Sequence, residues 1–152
     1  MNGIVFRRAR EADLPAIIAM LADDELGKLR EDTSLPLAEG YLKAFKAIDS
    51  DPNQYLAVAT EGDEIVGTLQ LTFIAGLSRK GALRGQIEAV RVASGHRSEG
   101  IGQKMFEWAI EECRARGCVL VQLTTDRDRL DAHRFYERLG FEASHLGYKL
   151  KL

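Results

Sequence analysis

Where the strand-like run Gln86–Val92 gives way to a helix-like run from Ile101, the chain reads His96-Arg97-Ser98-Glu99-Gly100-Ile101-Gly102-Gln103-Lys104. A strand, a glycine-bearing turn and an amphipathic helix in that order constrain the fold more than any other feature of this sequence. Glycine costs about 1 kcal/mol relative to alanine inside a helix, yet Gly100 and Gly102 stand at the helix start. One reading is that something approaches the backbone closely. Successive N–H groups at a helix N-terminus converge on a point that also feels the positive end of the helix dipole, so the turn has the physics of an anion site. Arg97 adds a charged fork and Ser98 a hydroxyl. The turn is neither a Walker loop, since GxxxxGK[ST] is missing, nor a dinucleotide fingerprint, which needs a further glycine or alanine. The alternative is a helix that begins in a flexible turn.

Around this turn the sequence predicts strands at Ile4–Ala9, Gln54–Thr60, Ile65–Ile74, Gln86–Val92, Val119–Thr125 and Phe141–Leu152. Helical spacing covers Leu14 to Leu26, Pro36–Ile48, Ile101–Ala115 and Ala132–Leu139, with Asp13 as a cap and Pro15 in the first turn. Gly76–Gly81 reads as a mobile loop. The order β-α-α-β-β-β-α-β-α-β predicts an α+β fold: a mixed, mostly antiparallel sheet with helices on both faces. At 152 residues it is expected to be one domain, 1–152. A net charge of −2 disfavours a dedicated nucleic-acid binder. The longest apolar run near the N-terminus, Ala16–Ala22, is too short for a membrane span, and the charged start does not resemble a signal peptide. Cys113 and Cys118 match no common zinc or redox spacing, which suggests reduced cysteines in a cytoplasmic protein. Charge is uneven: Glu11–Glu39 is strongly acidic and Arg79–Lys104 basic, which suggests a face for a cation and another for an anion.

Two segments carry a family resemblance. Arg97-Ser98-Glu99-Gly100-Ile101-Gly102 resembles the acyl-CoA loop of the GCN5-related N-acetyltransferase (GNAT) family, and Ala132-His133-Arg134-Phe135-Tyr136-Glu137-Arg138-Leu139-Gly140-Phe141 resembles its "A..FYE.LGF" segment. The resemblance implies acetyl-CoA as acetyl donor, with its pyrophosphate on the amides of Arg97, Ser98, Glu99, Gly100, Ile101 and Gly102. It implies that the pantetheine arm lies along Val90, Arg91 and Val92, between strands splayed apart at 86–92 and 119–125. A departure from the pattern is Arg129, where the family often has an asparagine that contacts pantetheine; Arg129 or Arg127 is placed to meet an anionic group instead.

Acyl transfer to an amine needs a group that removes a proton near neutral pH, since an alkylammonium has a pKa near 10.4. Glu88 is the candidate base, placed by strand alternation on the face of Val90 and Val92, with a salt bridge to Arg84 or Arg91 as its structural alternative. By the resemblance, Tyr136 is the acid that protonates the departing thiolate, and a strand amide near Val90 polarises the carbonyl. The acidic stretch Asp23-Asp24-Glu25 suits a cationic acceptor, and the segment Asp131–His145 resembles the aminoalkylphosphonate N-acetyltransferase branch. The expected acceptor is a small-molecule primary amine, with a protein or peptide amine as second reading and a non-catalytic acyl-CoA sensor as third. No metal, nucleic acid or membrane partner is expected; a homodimer is an open alternative for the assembly.

Overall fold

The computed structural model describes residues 3–152. Strand β1 (Ile4–Arg8) is followed by helices α1 (Leu14–Ala22), α2 (Gly27–Arg30) and α3 (Glu39–Asp49), and then by the hairpin β2 (Gln54–Glu61) and β3 (Glu64–Ala75). A single turn, α4 (Ser78–Gly81), leads to β4 (Leu83–Val92), α5 (Ile101–Ala115), β5 (Leu120–Gln122) and α6 (Leu130–Arg138). The five strands form one sheet in the order β1-β2-β3-β4-β5, antiparallel except for the parallel β4–β5 pair that α5 connects. Among the described residues no helix is long and apolar enough to cross a membrane.

Alternation along the strands sends side chains to two cores. Leu69, Leu71, Phe73 and Ile87 pack on Ile101, Met105, Phe106 and Cys113 of α5. On the other face Val58 packs against Ile17 and Ile18 of α1 and Phe45 of α3. The helix start at α1 is fixed from outside: the Asp13 carboxylate accepts from Arg7 Nη1 at 2.7 Å and Nη2 at 3.1 Å, and from the Arg10 amide at 2.7 Å. Asp13 therefore ties β1 to α1 rather than capping α1 with its side chain. The Arg7 guanidinium and the Arg10 amide hold its carboxyl below the usual range.

Two irregularities shape the centre of the sheet. The β3–β4 register shifts between Thr68↔Arg91 and Gln70↔Glu88, so Ala89 and Val90 together oppose Leu69, and Ala89 has a φ of +54°. One extra residue in a strand inverts every later side chain. Glu88 and Arg91 consequently share one face, while Val90 and Val92 pack toward the α5 core. This corrects the alternation argument, which put Glu88 on the face of Val90 and Val92. The β4–β5 ladder runs only from Arg84↔Leu120 to Gln86↔Gln122, although β4 continues to Val92. Beyond that point the strands part, as the family resemblance implies.

The sequence expected more strand than exists. Val119–Thr125 contracts to three residues, and Phe141–Leu152 forms no strand. A period-2 pattern becomes a strand only where a neighbouring backbone completes its ladder, and the parted end of β5 supplies none. Helix α3 begins at Glu39 rather than Pro36. The Gly76–Gly81 loop contains the turn α4, with Arg79 at φ +57° and Lys80 at φ +63°.

Candidate active site

Helix α5 starts at Ile101, as the glycine signal predicts. Its N-cap, Gly100, has φ +79°, a left-handed conformation that favours glycine. No side chain caps this end, and the first helical hydrogen bond runs from Lys104 N to Gly100 O at 3.2 Å. The amides of Ile101, Gly102 and Gln103 are left to face outward. Gly102 is different from Gly100. Its φ is not left-handed, and a Cβ placed there would meet only Val92 Cγ2 at 3.9 Å. Nothing in the fold demands glycine at 102, so the cost of having it there has no internal explanation.

A cavity of 270 Å³ opens over these amides, bordered by Val92, Arg97, Ser98, Gly102 and Phe135. It shares Val92 and Arg97 with a larger cavity of 660 Å³, bordered by Asp23, Asp24, Val90, Arg91 and Arg129. Together they form a groove along the end of β4. Phe135 both borders this groove and packs edge-on against Phe106 at 5.5 Å.

Charged side chains cross the groove. Arg97 Nη2 donates to Asp23 Oδ2 and to the Asp23 carbonyl, each at 3.3 Å, and Arg91 Nη2 lies 3.1 Å from Asp24 Oδ2. The Gly27 amide, with Arg91 beyond it, holds the Asp24 carboxyl below its ordinary value. The acidic stretch is thus bound to the basic residues of the groove instead of standing apart for a cationic acceptor; Glu25 pairs with Lys28 at 3.2 Å. Sequence separation hid this, because Asp23 and Arg97 lie 74 residues apart.

His96 stands just before the loop. Its side chain is 17% exposed and stands among three carboxylates, with Nε2 2.9 Å from Glu64, Nδ1 3.1 Å from Glu99 and Nδ1 4.0 Å from Glu61. Glu64 first and Glu99 next raise its pKa above 6.5. A raised imidazole pKa contributes stability that is full below about pH 6.5 and lost as pH rises through the higher folded value. His96→Gln should therefore melt below the parent at about pH 6, with the gap closing by about pH 9; thermal melts of both proteins across that range check it, and a gap that widens with pH would reverse the assignment.

Glu88 forms no ion pair among the described residues: Arg91 is taken by Asp24, and Arg84 Nη1 donates to Gln122 Oε1 at 3.2 Å. The salt-bridge alternative thus has no partner. Side chains instead form a hydrogen-bonded row across the sheet that ends at Glu88. From Arg84 it passes through Gln122 Nε2 to Gln86 Oε1 at 3.0 Å, then through Gln86 Nε2 to Glu88 Oε1 at 3.3 Å. Thr72 Oγ1 approaches the same oxygen at 3.5 Å from the other side. Donors on both sides fix the direction of the carboxylate. No sequence signal announced this row, because its members come from three strands.

Tyr136 sits on α6 in an aromatic cluster, 5.6 Å from the Phe106 ring and 6.2 Å from Phe141, both edge-on. The Tyr136 carbonyl accepts the Phe141 amide at 3.0 Å, which closes the helix end. Arg129 occupies the N-cap of α6 and borders the same cavity as Asp24 and Arg91. His145 bonds through Nδ1 to Ser144 Oγ at 2.7 Å.

The sequence profile of the Acetyltransferase (GNAT) family matches residues 18–141. An aminoalkylphosphonate N-acetyltransferase from Salmonella typhimurium is 34% identical over 110 residues, which are 72% of this chain and 71% of that protein. Among solved structures, a transcriptional regulator from Bacillus halodurans C-125 superposes with a TM-score of 0.95 at 50% identity, covering 98% of this chain and 99% of that one. A putative acetyltransferase from Agrobacterium tumefaciens str. C58 gives a TM-score of 0.84 at 28% identity, covering 97% of this chain and 99% of that one. A glycine loop on a helix start, a split between β4 and β5 and a sequence match over most of the chain agree: it belongs to the GNAT acetyltransferase family and is an N-acetyltransferase.

Proposed function

We propose that this enzyme transfers the acetyl group of acetyl-CoA to the primary amine of a small molecule, an aminoalkylphosphonate or an amino acid being the first candidates. Gly102 carries the coenzyme part of the reading. A glycine that neither its backbone angle nor its neighbours require is accounted for by a diphosphate resting on the amides around it. Two buried polar atoms beside the split, Arg91 Nε and Thr125 Oγ1, have no partner among the described residues. An amide-bearing pantetheine arm would supply partners for such atoms, which otherwise bear a desolvation cost of about 1–3 kcal/mol each.

In this reading Arg97 and Arg129 meet the phosphates, and Val90, Arg91 and Val92 offer backbone to the arm. Glu88 removes the ammonium proton through water. The amine nitrogen bonds to the thioester carbonyl carbon, the C–S bond breaks, the Tyr136 hydroxyl gives its proton to the sulfur, and the second proton shed by the nitrogen restores the phenol through solvent. Support for the acceptor comes from the Salmonella relative, whose name specifies aminoalkylphosphonates.

Thiol release from acetyl-CoA, followed with aminoalkylphosphonates, amino acids and α-amino peptides in parallel, tests the whole reading. Turnover should be fastest with one of the small amines. Exclusive turnover of peptides would reassign the acceptor, and tight acetyl-CoA binding with no amine-dependent release would make the protein a sensor.

A further inference from the structure

The loop that carries Gly100 and Gly102 leaves the sheet at Ala93, whose amide donates to the Val66 carbonyl at 2.9 Å. Past that anchor its ties to other elements run through side chains. Arg97 reaches Asp23, and His96 reaches the β2–β3 hairpin. Ser98, which is not a glycine, has φ +68°, a backbone state that persists only where its surroundings hold it. The shape that presents the α5 amides therefore depends on those few side chains. His96 borders the 270 Å³ cavity over the amides and belongs to neither core.

Both nitrogens of the His96 ring meet carboxylates from different elements. Nε2 lies 2.9 Å from Glu64 at the start of β3, and Nδ1 lies 3.1 Å from Glu99 in the loop. Glu61, at the end of β2, is 4.0 Å from Nδ1. Ionised carboxylates only accept hydrogen bonds, and a neutral imidazole has only one N–H to give. Satisfying Glu64 and Glu99 at once therefore takes the imidazolium, with a proton on each nitrogen. Among the described residues no lysine or arginine pairs with these three carboxylates, so the ring is the cation that joins them. Hydrogen bonds to Glu64 first and Glu99 next accordingly raise its pKa above 6.5.

We infer that His96 is a positioning residue for the coenzyme: its imidazolium pins the glycine loop to the β2–β3 hairpin and so holds the α5 amides where the diphosphate rests. This builds on the acetyl-CoA reading above. As pH rises and one ring proton leaves, either Glu64 or Glu99 faces a ring lone pair instead of an N–H. That contact turns repulsive and the loop loses its tie. Acetyl-CoA then has to order the loop as it binds, which costs affinity. Binding is thus tightest while the ring is charged and weakens as pH rises through the folded pKa, the direction that a raised pKa requires. His96 acts here through Glu99 and the loop backbone, and takes no part in the acyl transfer itself.

Calorimetric titration of the full chain with acetyl-CoA between about pH 6 and about pH 9 tests the inference. Affinity of the parent should fall by about 5-fold or more across that range, the lower end of the usual coupling between linked sites. His96→Gln should bind weakly throughout and lack the slope, since it has no proton to lose. Glu64→Ala separates positioning from plain charge. Glu64 lies outside the cavity wall, and its loss removes a negative charge. Direct attraction between the ring and the phosphates therefore predicts tighter binding in that variant, whereas loss of the hairpin tie predicts weaker binding at about pH 6. The coenzyme's own phosphates titrate alike in every arm, so differences between variants belong to the protein. A His96→Gln affinity and slope equal to the parent's overturn the inference, as does tighter binding by Glu64→Ala. No binding by the parent at any pH would instead overturn the acetyl-CoA reading, and the inference with it.

Discussion

Replacing Glu88 with glutamine should lower kcat by roughly 10- to 10⁴-fold, the range associated with one acid–base group. Glutamine keeps the shape and the hydrogen bonds to Gln86 Nε2 and Thr72 Oγ1 within reach, but it cannot accept and release a proton. The side chain is exposed and joins no core, so folding stability should change by less than about 0.5 kcal/mol. Acetyl-CoA affinity should also hold, because Glu88 faces away from Val90 and Val92 across the bulge. The diagnostic is the pH profile of kcat. If Glu88 is the base, Glu88→Gln should lack the acidic limb of the parent's profile. A variant with full turnover and an unchanged profile would return Glu88 to a structural role, with water as the only acceptor of the proton.

What could be read from the sequence was local. Helix α5 begins at Ile101 and ends at Ala115 as expected, because its glycines, its apolar spacing and Gly117 all act within a few residues of each boundary. The hairpin β2–β3 was legible for the same reason: two alternating runs flank a turn with Gly62 at φ +60°. Features that depend on what meets what in space were not legible. The bulge at Ala89 has no glycine to mark it, and it moved Glu88 to the opposite face from the one that alternation implied. Asp23 and Asp24 looked like a free acidic stretch until the fold carried them onto Arg97 and Arg91. The tail at 146–152 has a strand pattern without a strand, since pattern fixes which side chains want burial but not where a pairing backbone will be found.

Tyr136→Phe should lower kcat while leaving acetyl-CoA binding nearly unchanged, and this separates an enzyme that protonates its leaving group from one that relies on solvent. The substitution removes a single hydroxyl. The ring that packs edge-on against Phe106, Phe135 and Phe141 stays, so the cluster should survive and the melting temperature should barely move. A phenol with a pKa near 10 is protonated at neutral pH and is useful to the reaction only as charge gathers on sulfur. Its loss therefore belongs to kcat and to kcat/KM together, on the order of 10²-fold, and not to ground-state affinity. Measured beside thiol release, acetyl-CoA binding by calorimetry divides the outcomes. A fall in turnover with intact binding keeps Tyr136 as the acid. Weakened binding with proportionate loss of turnover would make it a packing residue that supports Phe135 at the edge of the groove. Undiminished kcat with a proven acceptor would remove it from the chemistry, and the thiolate would then leave unprotonated or take its proton from water.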